Sequence, residues 1–114
     1  MNKRETGSKY EDVAAEYLIS KGYLIEFRNY RDRFGEIDII ARKDGYLVFV
    51  EVKYRSSISA GDPLEAITAH KQKQIRNTAL GYIRYKHYNP DSMNLRFDCI
   101  GILGNDINHV ENAF

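Results

Sequence analysis

Asp38, Glu51 and Lys53 are the residues of this chain whose types and spacing most plainly allow chemistry. Two carboxylates converging from adjacent strands form a hard oxygen site suited to Mg²⁺ or Mn²⁺. They converge if Gly35–Lys53 is a β-hairpin, and Asp44-Gly45 is a strong signal for a two-residue turn at its centre. That turn pairs Lys43 with Tyr46, Ala41 with Val48 and Asp38 with Glu51. Side chains alternate along a strand, so Ile37, Ile39, Ala41, Val48, Val50 and Val52 make one apolar face that must be buried. The other face carries Glu36, Asp38, Ile40 and Arg42 opposite Lys53, Glu51, Phe49 and Leu47. A slip of one residue would scramble both faces, which makes the register well determined.

Opposed cross-strand residues bring their Cβ atoms to about 4.5–5.5 Å, where like charges destabilise a sheet. Lys53 can offset part of that charge. The bland alternative is a surface salt-bridge cluster in which Lys53 and Arg42 balance Asp38 and Glu51, each exposed pair contributing about 0–1 kcal/mol.

Around the hairpin, a first helix is expected from Tyr10 to Lys21, closed by Gly22, with Ala14, Tyr17 and Leu18 facing inward and Val13 and Ala15 beside them. Glu11 lies along the edge of that face. It is either a first-turn acid favoured by the helix dipole or a third acid aimed at the hairpin. A short strand, Tyr23–Phe27, precedes a basic loop, Arg28-Asn-Tyr-Arg-Asp-Arg33, and Lys53-Tyr-Arg55 follows the hairpin; Arg28, Arg31, Arg33 and Arg55 are candidate phosphate contacts. Their plain alternative is two solvated loops. After a Ser/Gly-rich loop at 56–61, Asp62-Pro63-Leu64-Glu65 should start a long helix reaching Tyr85, with Leu64, Ile67, Ile75, Ala79 and Tyr82 on its buried stripe. Lys71 interrupts this stripe, either snorkelling to solvent or reaching a substrate. Leu95–Ile102 is a strand in which Arg96 and Asp98 should form a local ion pair. His87 and His109 have no ligand spacing and are expected at the surface. The order helix, three strands, helix, strand implies an α/β fold, a mixed sheet of about four to five strands flanked by helices.

At 114 residues the chain is long enough for one domain, 1–114, and too short for two. Its 43% hydrophobic and 29% charged residues exclude disorder and a membrane span. The polar opening Met1–Lys9 is neither a signal peptide nor an anchor, and the single Cys99 rules out an internal disulfide and a cysteine zinc site, so a cytoplasmic protein is expected. A net charge of +1 argues against nucleic-acid binding by bulk electrostatics and directs attention to local clusters.

These residues, taken together, resemble the YraN-like bacterial proteins, a largely uncharacterised family related distantly to archaeal Holliday junction resolvases within the restriction-endonuclease-like superfamily. The resemblance spans nearly the whole chain: Gly7, Glu11-x-x-Ala14, Gly22-Tyr23, Arg28-Asn29, Gly35-Glu-Ile-Asp38-Ile-Ile-Ala41, Phe49-Val-Glu51-Val-Lys53-x-Arg55, Pro63, Lys71 and Arg96-Phe-Asp98. It implies a restriction-endonuclease-like fold and a Mg²⁺- or Mn²⁺-dependent endonuclease acting on DNA, including branched or single-stranded forms. In that scheme Asp38, Glu51 and the Val52 carbonyl are metal ligands, Lys53 positions or activates water, and Glu11 completes the site. Ile37 stands where the superfamily motif has Pro, and Tyr10 where Gly often precedes the helical acid, which bears on how Glu11 reaches the site. Resolvase-like relatives often act as dimers, so the resemblance raises a homodimer and a DNA-processing partner protein. The competing expectation is a non-catalytic nucleic-acid-binding or adaptor module that keeps the fold. A purely structural protein would leave the convergence of two carboxylates and a lysine unexplained.

Overall fold

A computed structural model describes residues 3–56 and 67–114, with side chains from Lys9 onward. Helix α1 (Lys3–Ser20) is followed by strands β1 (Leu24–Asp32), β2 (Gly35–Lys43) and β3 (Tyr46–Arg55), helix α2 (Ala69–Tyr85), and strands β4 (Asn94–Leu103) and β5 (Asp106–Val110). The sheet order is β1-β2-β3-β4-β5; every pair is antiparallel except β3–β4, which is parallel. Parallel neighbours need a long crossover, and α2 lies within it. The fold is therefore a five-stranded mixed α/β sheet with one helix on each face, consistent with a restriction-endonuclease-like architecture.

The β2–β3 hairpin forms in the expected register, Lys43 opposite Tyr46, Ala41 opposite Val48 and Ile39 opposite Val50. Asp44 and Gly45 take φ of 51° and 83°, the left-handed pair that a two-residue hairpin turn demands. α1 ends where Gly22 (φ 91°) lets its N–H reach Ile19 O and the Tyr23 N–H reach Leu18 O, both at 3.0 Å.

Both sheet faces are covered. Ala14, Ala15 and Leu18 of α1 pack on Ile39, Ala41, Val48, Val50, Ile100 and Ile102. Ile75, Ala79, Tyr82 and Ile83 of α2 pack on Ile37, Ile40, Leu47, Phe49 and Phe97. Two expectations change here. Alternation puts Ile40, Leu47 and Phe49 on the face carrying chemistry, yet they are buried under α2, so only the end of that face near Glu51 remains for polar groups. Ile37 lies with α2 rather than with Ile39 under α1, because alternation breaks at Asp38; opposite it, Asn29 adopts a left-handed φ of 55° within β1.

Other boundaries move for tertiary reasons. α1 starts at Lys3 rather than Tyr10, since one internal glycine, Gly7, costs a helix only about 1 kcal/mol. The basic stretch from Arg28 is a continuation of β1 rather than a loop, because pairing with β2 runs to Asp32 opposite Gly35. α2 starts at Ala69, with the Thr68 hydroxyl accepting from the Lys71 N–H, and Ile67 lies outside it. The 56–61 loop beyond Ser56, and the helix start at Asp62–Glu65 with Leu64 on its stripe, fall outside the described residues.

His109 is not a surface residue. Its side chain is 7% exposed, bonded through Nε2 to the fully buried Asp98 at 2.7 Å and through Nδ1 to the Tyr17 hydroxyl at 3.2 Å. β5 brings it there. The expected Arg96–Asp98 pair forms alongside at 2.8 Å, and the Asn112 N–H donates to the same carboxylate at 3.0 Å, which together hold Asp98 below its ordinary pKa despite burial. Arg42, offered as a counter-charge for the site, instead donates to Glu26 at 2.5 Å, with the Tyr82 and Tyr88 hydroxyls on the other carboxylate oxygen.

Candidate active site

The antiparallel β2–β3 ladder stops at Ile39–Val50, just short of Asp38 and Glu51. In the gap, the Val52 N–H donates to Asp38 Oδ2 at 2.7 Å. In an extended strand the N–H and C=O of one residue leave on the same side, so the Val52 carbonyl also points toward β2.

Glu11 comes in from α1. Oxygens of Glu11, Glu36 and Asp38 lie within 4.8 Å of one another. Glu11 thus does not simply reach solvent; its carboxylate meets that of Asp38. Asn29, its amide nitrogen turned inward, donates to both Glu11 oxygens at 2.9 and 3.2 Å. Burial, then the Asp38 carboxylate, pushes Glu11 up to about 7. Burial also raises Asp38, opposed by the Val52 N–H. A cluster of carboxylates held against their own repulsion in this way, offering only oxygen donors, fits a hard divalent cation such as Mg²⁺ or Mn²⁺.

Glu51 belongs to the same site but faces its other wall. Its side chain is 5% exposed and its Oε1 lies 3.3 Å from Lys53 Nζ and 3.8 Å from Lys71 Nζ. Burial, then the Asp38 charge, pushes it up to about 7 against the pull of Lys71 and Lys53. Lys71 therefore reaches into the site from the first turns of α2, instead of snorkelling to solvent. An acid that resists ionisation beside two amines is a candidate for a catalytic group.

The basic candidates divide. Arg28 is bound to Asp12 at 2.7 Å, and Arg31, 70% exposed, to Glu36 at 3.2 Å. Arg33 lies 4.9 Å over the Phe34 ring, and Arg55 Nη1 donates to the Tyr54 carbonyl. Arg31 thereby flanks the carboxylates, while Arg28 ties β1 to α1.

Glu36 and Asn29 are members that the sequence reading did not name as site residues. Glu36 had a signal, since it is two positions from Asp38 on one strand. Asn29 had only the tolerance of Asn for left-handed backbone.

A family model described as "Uncharacterised protein family UPF0102" matches residues 10–102. A UPF0102 protein of Lachnoclostridium phytofermentans is 51% identical, covering 100% of this chain and 96% of that one. Those of Sulfurihydrogenibium sp. and Clostridioides difficile are each 45% identical over 100% of this chain, covering 97% and 100% of their own lengths. None of these names states an activity. No helix among the described residues is long and apolar enough to cross a membrane.

Proposed function

The chain belongs to the uncharacterised protein family UPF0102, the YraN-like proteins of restriction-endonuclease-like kind, and from this premise we propose that it is a metal-dependent nuclease hydrolysing DNA phosphodiester bonds. The observation that carries the proposal is the meeting of Glu11, Glu36 and Asp38 oxygens within 4.8 Å, beside a buried Glu51 that two lysines face. Asp38, Glu11 and Glu36, with Glu51 and the Val52 carbonyl at the adjoining wall, would hold Mg²⁺ or Mn²⁺. When bound, the ion supplies Lewis-acid polarisation of the phosphoryl oxygen and lowers the pKa of water.

The chain's own groups do the rest. The Val52 N–H orients Asp38, and Asn29 orients Glu11. Lys53, held by Glu51, presents an ammonium that orients water and stabilises charge developing on the phosphate, and Lys71 adds a second cation from α2. Arg31, Arg33 and Arg55, at exposed or partly exposed positions, are offered as contacts to flanking phosphates. Arg28, already paired with Asp12, contributes less than its sequence position implied.

A cleavage assay with Mg²⁺ and Mn²⁺ across junction, flap, single-stranded and duplex DNA tests this, with Glu51→Ala as control. Cleavage that the control loses supports the reading. A second reading, a non-catalytic nucleic-acid-binding or adaptor module, draws on the engagement of Glu51 by two lysines, which balances its charge without any metal ion. DNA binding with no cleavage under any metal or substrate form favours that module.

A further inference from the structure

Tyr10 and Tyr54 stack face to face, ring centroids 3.5 Å apart and planes 11° from parallel. Tyr10 directly precedes Glu11 on α1, and Tyr54 directly follows Lys53 on β3. Tyr54, two residues beyond Val52 on the face of β3 that α1 covers, and Tyr10 therefore sit on the side of the sheet that Glu11 approaches, with Lys53 on the opposite face of the strand. Both side chains are only partly buried, packing against the edge of the α1-side core. Lys9 Nζ stands 5.9 Å from the Tyr10 centroid, and Arg55 is the next residue after Tyr54.

We infer that this tyrosine pair is a stacking platform for an unpaired base, and that the substrate of the site is DNA with single-stranded nucleotides beside the scissile phosphate; this rests on the nuclease reading above. Three observations carry it. First, a nucleic-acid site needs affinity, and charge supplies little here: the chain is +1, the site gathers several acids, and Arg28 is spent on Asp12. Aromatic stacking is a source of affinity that does not depend on charge. Second, Tyr10 adjoins Glu11 on α1, and Tyr54 shares a face of β3 with Val52, whose N–H holds Asp38, so the platform stands on the carboxylate side of the sheet, next to where a flanking nucleotide would lie. Third, a base within continuous duplex has both faces covered by its neighbours, whereas an unpaired or terminal base has a free face. The platform therefore distinguishes frayed, flapped, branched or single strands from plain duplex without reading sequence.

The test measures affinity in Ca²⁺, which replaces the reactive ion, for three probes of one length: a single strand, the same strand with abasic sites replacing its central bases, and the duplex. Wild type should bind the single strand most tightly, and removing the bases should weaken it by about 5-fold to 150-fold, the size of one stacked base. Tyr10→Leu and Tyr54→Leu should produce the same loss on the single strand and little change on the duplex, while Tyr→Phe at each position retains affinity. A 2-aminopurine at the unpaired position should change fluorescence on binding wild type and not the Leu variants. Equal affinity for the abasic and normal strands overturns the platform, and that comparison needs no variant to fold. Equal loss on single strand and duplex also overturns it, assigning the pair to packing between α1 and β3. Parallel Mg²⁺ cleavage by wild type separates the two proposals: cleavage without base dependence keeps the nuclease and removes the platform, while base-dependent binding without cleavage removes the nuclease and keeps the platform.

Discussion

Replacing Glu51 by Gln should flatten the pH dependence of stability in the metal-free protein. Glu51 is pushed from its ordinary 4.5 up to about 7, with burial the largest cause and Asp38 the second. A carboxyl whose folded pKa is raised binds its proton more tightly in the fold than in the unfolded chain. Its contribution is complete below the unfolded value near 4.5 and is lost as pH rises through about 7. At about 1.4 kcal/mol per pH unit, the full loss is about 3 kcal/mol, of which about 2.5 kcal/mol falls between pH 5 and pH 8. Gln has nearly the same shape and no titration. Burying its amide, and releasing Lys53 and Lys71, changes stability by an amount that is nearly the same at both pH values and so cancels in the difference. Urea unfolding in EDTA at pH 5 and pH 8 measures it. Wild type should lose about 2.5 kcal/mol more than Glu51→Gln on going to pH 8, roughly 1 to 2 M in midpoint. Glu11 and Asp38, also raised, add a decline in the same direction that both proteins share. Asp98 and Glu26, held below their ordinary values of 3.8 and 4.5, lose their stabilisation only as pH falls below those values, outside this window. Parallel pH profiles for wild type and Glu51→Gln would refute the account of Glu51 as an acid held against ionisation.

Asp38→Asn keeps an oxygen for the Val52 N–H, should leave the metal-free protein as stable or more stable by roughly 0.2–1 kcal/mol, and should abolish the stabilisation of about 2.7 kcal/mol that Mn²⁺ at 100 times its dissociation constant gives wild type; a melting curve of wild type indifferent to millimolar Mn²⁺ counts against the site. Lys53→Ala should retain metal-induced stabilisation and lose cleavage, whereas Glu51→Ala loses cleavage and weakens metal binding; calorimetry with Mn²⁺ beside the cleavage assay separates them. Asp98→Ala, which strips the fully buried partner from Arg96 and His109, should destabilise the fold by about 3–5 kcal/mol at neutral pH, measured by urea unfolding. Arg31→Ala and Arg33→Ala should each lower the salt slope of DNA binding by about 1 if they contact phosphate, and Arg28→Ala by less because Asp12 already engages it; an unchanged slope in the triple variant would make β1 and its turn bystanders.

The hairpin was legible in the chain alone because its determinants are local. Asp44-Gly45 demands the tight turn, and alternation on both sides of it leaves one register that buries the valines and isoleucines. The N-terminal helix stripe through Ala14 and Leu18, the Gly22 cap and the Arg96–Asp98 pair were legible for the same reason, each arising within a few residues. Tertiary structure decided what depends on distant partners. The basic stretch became strand only because β2 offered hydrogen bonds as far as Gly35. Ile37 changed faces where the β2–β3 ladder ends and the strands part around Asp38, a break in alternation that no two-residue period can signal. Glu11 and Lys71 each had two readings in sequence, and packing of α1 and α2 on opposite faces turned the first to Asp38 and the second to Glu51. His109 shows the limit most clearly: an isolated histidine in sequence, it is buried because β5 folds back beside β4 and sets it between Asp98 and Tyr17, the latter 92 residues away along the chain. Local spacing specifies which groups share a strand or a helix face; which of those groups meet across the sheet is set by how the elements pack, and the candidate site lies where the two helices bring their polar groups to the parting of β2 and β3.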